Sequence, residues 1–139
     1  MFGTGERKAR TLMSFGFSLL QDLDDAQKAV VETLEGPVVI YAGAGSGKTR
    51  ALTYRIANGV LNKLFDPTKV LALSFTTRAA DEMALRLASL GIRNVATRTF
   101  HSAALRQLKF FWPIAIGGTM PIIIENKYKV LDTALKNKK

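Results

Sequence analysis

An incomplete α/β domain, a parallel sheet with helices on its faces, is the fold class that the sequence predicts, on three observations. Short apolar runs bounded by Pro, Gly or Asp alternate with stretches whose apolar residues recur at helical spacing. The runs are too short for helices, and strands alternating with helical stretches of about 10 to 15 residues call for parallel pairing through helical crossovers. There are three such runs in a chain of 139 residues. At about 150 residues per domain that makes one small domain and half a sheet.

The elements follow in order. Asp24 and Asp25 place acidic groups at a helix start, Ala26, Val30, Val31 and Leu34 form its apolar stripe, and Gly36-Pro37 closes it. Residues 38–41 read as a strand buried on both faces, and residues 42–47 as a loop. From Lys48, the residues Leu52, Ile56, Val60, Leu61 and Leu64 keep helical spacing until Asp66-Pro67. Residues 69–75 read as a second buried strand. Thr76 or Thr77 can cap the next helix, which carries Asp81 and Glu82 in its first turns, turns Ala80, Met83 and Leu87 inward, and stops at Gly91. Residues 94–99 form a third strand. A helix over 102–111 carries Leu105 and Leu108 on one face and is ended by Trp112-Pro113. After Gly117-Gly118, Pro121 opens a last amphipathic stretch through Ile124, Tyr128, Leu131 and Leu135.

Composition narrows the function. With 47% hydrophobic and 22% charged residues the chain is neither disordered nor collagen-like. It has no cysteine, and His101 is its one histidine, so any metal must be held mainly by oxygen. Twenty basic against 11 acidic residues give +9, and the surplus is lopsided: residues 1–82 sum to +1 and residues 83–139 to +8. Such a field attracts polyanions, with nucleic acid the leading partner, an anionic membrane surface second and a merely solubilising surface the alternative. Arg7, Lys8 and Arg10 precede a mostly apolar stretch at 11–20, but Ser14, Gly16 and Ser18 dilute it and no small-residue cleavage site follows, which argues against secretion. Met13 is an alternative start. No run approaches the ~20 apolar residues of a membrane span, and the expected location is the cytoplasm.

Ala42-Gly43-Ala44-Gly45-Ser46-Gly47-Lys48-Thr49 lies between a predicted strand and a predicted helix, the context that a phosphate-binding loop requires. Small residues let successive backbone N–H groups curl around an anion at a helix N-terminus. Lys48 can reach the β- and γ-phosphates, and the Thr49 hydroxyl can ligate a bridging Mg2+. Ala42 stands where the strict pattern has glycine, which the loop accepts if that residue keeps a negative φ.

Four segments in order decide among the many users of such a loop: Leu23-Asp24-Asp25-Ala26-Gln27, the loop with Arg50, the run from Ala72 to Met83, and Arg98-Thr99-Phe100-His101-Ser102. Together they resemble the N-terminal ATP-binding subdomain of UvrD/Rep/PcrA-type superfamily 1 DNA helicases, over roughly residues 22–112. The stretch from Arg106 to Leu135, with its Phe-Phe-Trp cluster, looks more specifically like actinobacterial members.

The resemblance implies a P-loop NTPase (RecA-like) fold and an ATP-dependent 3′-to-5′ DNA helicase or translocase as parent enzyme. It makes Gln27 the glutamine that reads the N6 and N7 edge of adenine, for which a side-chain amide both donates and accepts. Lys48 takes the catalytic phosphate role, Thr49 the metal role, and Arg50 a nucleotide contact beside Ala42, Gly43, Ala44, Gly45, Ser46 and Gly47. Phe75, Thr76, Thr77 and Arg78, then Thr99 and His101, are implied to hold single-stranded DNA or a single/double-strand junction at strand ends, where open α/β sheets bind ligands. The family commonly has Asn-Lys where this chain has Thr77-Arg78. Arg86, Arg93, Arg98, Arg106 and Lys109 are candidates to extend a basic path.

The family also uses an Asp-Glu pair after an apolar strand and arginine fingers from a second RecA-like domain. The nearest match, Ile122-Ile123-Ile124-Glu125-Asn126, lacks the Asp. The expectation is therefore a fragment of a longer helicase: an N-terminal extension at 1–21, a partial ATP-binding subdomain at 22–112, and at 113–139 a linker and the start of an inserted helical subdomain. Alone it should bind ATP and Mg2+ but hydrolyse negligibly. The alternative is a non-catalytic basic nucleic-acid-binding module, for which nucleotide would be irrelevant.

Overall fold

The computed structural model describes residues 20–123 together with Tyr128, Leu131 and Leu135. Most of the expected N-terminal extension and most of the last amphipathic stretch, with Glu125, lie outside the described residues. The chain divides after Phe100 into two compact units. The first holds α1 (Asp25–Glu32), α2 (Lys48–Leu61), a 3-10 turn (Pro67–Lys69), β1 (Leu71–Ser74), α3 (Thr77–Ser89) and β2 (Ala96–Thr99); α4 (Phe100–Ala115) leads into the second.

Local chemistry sets the helix starts. Asp24 caps α1 by accepting from the Gln27 N–H at 2.8 Å, and Thr76 caps α3 by accepting from the Ala79 N–H at 3.2 Å. Each side chain satisfies one of the four N–H groups that a helix start leaves open. Asp66 caps the 3-10 turn through the hydroxyl and N–H of Thr68, and those bonds, with Lys69 nearby, hold its carboxyl below the usual range.

β1 and β2 pair in parallel, with Leu71 opposite Ala96 and Ser74 opposite Thr99, and α3 both connects them and packs on them. α2 packs against both α3 and α1. The core forms where these meet, from Ile56 and Ala57 of α2, Ala72 of β1, Met83 and Leu87 of α3, and Ile92. Thr53 is fully buried in α2 and donates its hydroxyl to the carbonyls of Thr49 and Arg50 one turn back.

Three expectations are corrected. Residues 38–41 are extended but carry no strand pairing, with Val39 and Tyr41 exposed, so the sheet has two strands among the described residues and not three. A short apolar run satisfies the local requirement for a strand, but only a neighbour can supply its ladder. The second strand is not buried on both faces either: only Ala72 is buried and Leu71 is 47% exposed. Finally, Trp112-Pro113 does not end α4, which runs through Pro113 to Ala115. Proline there removes one N–H near the end of the helix, and the Trp112 carbonyl then accepts from both Ile116 and Gly117 to close it.

Gly59 lies inside α2 because the ring of Phe65 rests on it. A Cβ at that position would come within 2.1 Å of the ring, and the Gly59 carbonyl accepts from the N–H groups of Leu64 and Phe65. Gly59→Ala gains helix propensity yet overpacks this contact, and is expected to destabilise the chain by about 1–3 kcal/mol. An unchanged urea midpoint would show that the ring moves aside freely.

Candidate nucleotide site and strand-end surface

Residues 42–47 leave the extended segment 38–41 and turn into α2. Gly45 and Gly47 have φ of +76° and +81°, the left-handed region where a side chain is strained, and Gly47 is the residue that opens α2. The turn is held by Ser46, whose hydroxyl donates to the Gly43 carbonyl at 2.8 Å. Lys48 folds back over the loop, its Nζ donating to the carbonyls of Ala42, at 2.8 Å, and Gly43. The ammonium thus waits at the mouth of the loop, satisfied by carbonyls that an anion can replace.

Gln27 reaches the loop from α1. Its Nε2 donates to the Ser46 carbonyl at 3.1 Å, and a Cβ on residue 47 would stand 2.6 Å from that nitrogen. Glycine at 47 therefore serves twice, for its backbone and for the approach of Gln27. A cavity of about 310 Å³ opens here, lined by Asp24, Gln27 and Val30 of α1 and its cap, by residues 39–42, and by Ser46, Lys48 and Ala51. It combines apolar walls with the Lys48 ammonium, the Gln27 amide, the Ser46 hydroxyl and the carboxylate of Asp24, which caps α1, and its size is at the lower end of small-ligand sites. Arg50 is engaged elsewhere, 3.8 Å from the Asp22 carboxylate and 5.4 Å over the Tyr54 ring.

This donor set fits a phosphate chain: left-handed glycines at a helix N-terminus, with a movable ammonium at the entrance. For Mg2+ it offers the exposed Thr49 hydroxyl, and among the described residues no cluster of three or more His, Cys, Asp or Glu stands ready to hold a metal. An ion here would be held mostly by phosphate oxygens and water, as Mg2+ commonly is.

The second set of expected residues is gathered by strand register. Ser74 pairs with Thr99, so the residues that leave the sheet next, Phe75 and Phe100, emerge side by side with ring centroids 5.4 Å apart and planes tilted by 49°. Phe75 is 86% exposed. Thr77 and Arg78 begin α3 in solvent, whereas the Thr76 hydroxyl is occupied in capping. His101 follows Phe100 in α4 and is exposed. The pairing of Phe100 with Phe75 is what sequence reading missed; the equal spacing of the two aromatics behind their strands was its one available signal.

The UvrD/REP helicase N-terminal domain matches residues 23–130 of the chain. The chain belongs to that family. Among similar members, the ATP-dependent DNA helicase UvrD2 of Mycobacterium tuberculosis (strain ATCC 25618 / H37Rv) is 42% identical over 124 residues, covering 84% of this chain and 18% of the relative. The ATP-dependent DNA helicase PcrA of Bacillus subtilis (strain 168) is 40% identical over 119 residues, covering 84% and 15%. PcrA of Leuconostoc citreum is 45% identical over 96 residues, covering 66% and 13%. This member of the UvrD/REP helicase N-terminal domain family thus spans less than a fifth of the length of these curated relatives. No helix among its described residues is long and apolar enough to cross a membrane.

Proposed function

We propose that the chain is the ATP-binding N-terminal part of a cytoplasmic, ATP-dependent 3′-to-5′ DNA helicase or translocase, with residues 22–112 a partial RecA-like subdomain and residues 113–139 leading into an inserted helical one. The observation that carries this reading is Lys48 poised on the loop carbonyls beside the cavity under Gln27. ATP–Mg2+ would place its phosphates over residues 43–48, exchanging loop carbonyls for phosphate oxygens at Nζ. Thr49 would give the metal one oxygen. Gln27 has a second amide hydrogen and a carbonyl for the adenine edge.

Single-stranded DNA would cross the strand ends. The tilted Phe75 and Phe100 rings offer stacking faces to bases of any sequence, while Thr77, Arg78 and Thr99 offer polar contacts to the backbone; His101 is a further candidate contact by resemblance alone. Hydrolysis by the isolated chain should be negligible, because the one Asp-Glu pair of this sequence, Asp81-Glu82, lies within α3 and not after an apolar strand, and arginine fingers from a second RecA-like domain are not in this sequence.

The test is fluorescence titration with labelled oligothymidine and with duplex of equal length, with and without ATP–Mg2+. Single strand is expected to be preferred, and Phe75→Ala to weaken it by about 1–3 kcal/mol. The second reading, a non-catalytic basic module, draws on the +8 of residues 83–139. It requires equal affinity for duplex, indifference to nucleotide and no effect of Phe75→Ala, leaving a steep salt dependence alone.

A further inference from the structure

α1 is held at both ends. At its start Gln27 bonds to the phosphate loop; at its end, side chains of α2 take up the carbonyls that a helix terminus leaves open. Arg55 Nε donates to the Thr33 carbonyl at 2.7 Å and Nη2 to the Gly36 carbonyl at 3.2 Å, while Asn58 Nδ2 donates to the Val31 carbonyl at 2.9 Å. Asn58 is itself steadied by Asn62, whose Nδ2 donates to its Oδ1 at 2.8 Å. A planar guanidinium suits this place, since its fork meets two carbonyls at fixed spacing and its charge lies at the negative end of the α1 dipole. Gly36, with φ +73°, turns one of those carbonyls toward it.

We infer that Arg55 is a positioning residue for adenine recognition, acting through α1 to set where the Gln27 amide stands against the phosphate loop. This rests on the proposed ATP site. Arg55 fixes the end of a rigid two-turn helix whose other end carries Gln27, and α2 carries both Arg55 and Lys48, so base reading and phosphate binding share one frame. A shift of α1 by about an ångström is enough to spoil hydrogen bonds whose useful range is about 2.7–3.2 Å, while leaving the phosphate loop on its own helix. Loss of Arg55 should therefore remove the contribution of the base and spare that of the phosphates.

The experiment titrates the 139-residue chain with ATP and with inorganic tripolyphosphate, each with Mg2+, in wild type, Arg55→Met, Arg55→Lys, Gln27→Ala and the double variant Gln27→Ala with Arg55→Met. Two hydrogen bonds to adenine should give the wild type about a tenfold preference for ATP. Arg55→Met is expected to erase that preference with tripolyphosphate affinity unchanged, Gln27→Ala to erase it equally, and the double variant to add nothing. Arg55→Lys, which keeps the charge without the fork, should recover only part of it, and that partial loss carries the test if Arg55→Met fails to fold. A full ATP preference in folded Arg55→Met, or in Arg55→Lys when that variant carries the test, overturns the inference, as does an equal loss of both ligands. A wild type that shows no preference for ATP over tripolyphosphate overturns the adenine reading of Gln27 itself, and the role of Arg55 with it.

Discussion

Lys48→Ala is expected to weaken ATP–Mg2+ binding by about 10- to 100-fold while leaving the melting temperature almost unchanged. The Lys48 side chain is exposed and contributes to no core contact, and its bonds in the resting state are to exposed carbonyls of the loop, which water can satisfy instead. The bound state is different. A hydrogen bond to a charged group is worth about 1.5–3 kcal/mol, and each 1.4 kcal/mol is about tenfold in affinity, so losing the one ammonium at the loop mouth costs about one to two decades. Titration calorimetry on both chains, with thermal melts alongside, reads the two quantities separately. Binding retained in the alanine variant would move the phosphate site elsewhere.

Leu87→Ala is expected to cost about 2–5 kcal/mol, a large part of the roughly 5–15 kcal/mol that holds a domain folded. Leu87 is 2% exposed and packs among Ile56, Ala57, Ala72, Met83 and Ile92, so its removal leaves a cavity that three elements border. Leu85, two residues earlier on the same helix, is 72% exposed, and Leu85→Ala should stay within about 0.5 kcal/mol. Urea denaturation of the pair isolates burial from helix propensity, since both exchanges are identical in chemistry. Equal midpoints would mean that α3 does not anchor the core.

What was legible in the sequence is what local chemistry decides. Asp24 and Thr76 cap their helices through bonds three residues long, and Gly91 follows the end of α3 with φ +73°. The turn from the loop at 42–47 into α2 was legible for the same reason: Gly45 and Gly47 take left-handed φ, and Lys48 lies on the first turn of the helix that follows. Long-range partners were not legible. The run at 38–41 has the pattern of a strand, but pattern does not supply the neighbour that would pair with it. Gln27 announces an amide at the start of α1, yet nothing in the chain says that its acceptor is the carbonyl of Ser46, nineteen positions on. Arg55 reads as one more helix arginine until Thr33 and Gly36 are seen beneath it. Phe100 reads as a strand-end aromatic until the register with β1 brings Phe75 against it.

The parallel pairing of β1 and β2 also sets how far along the chain assembly has to reach. Antiparallel neighbours can zip from a tight turn, but Leu71 and Ala96 meet only after the whole of α3 has been traversed. The chain must close that long loop before the first ladder bond forms, and a loop already wound into helix has far fewer conformations to surrender than a free one. A helix that carries Met83 and Leu87 and packs on both strands shortens the search that parallel pairing requires.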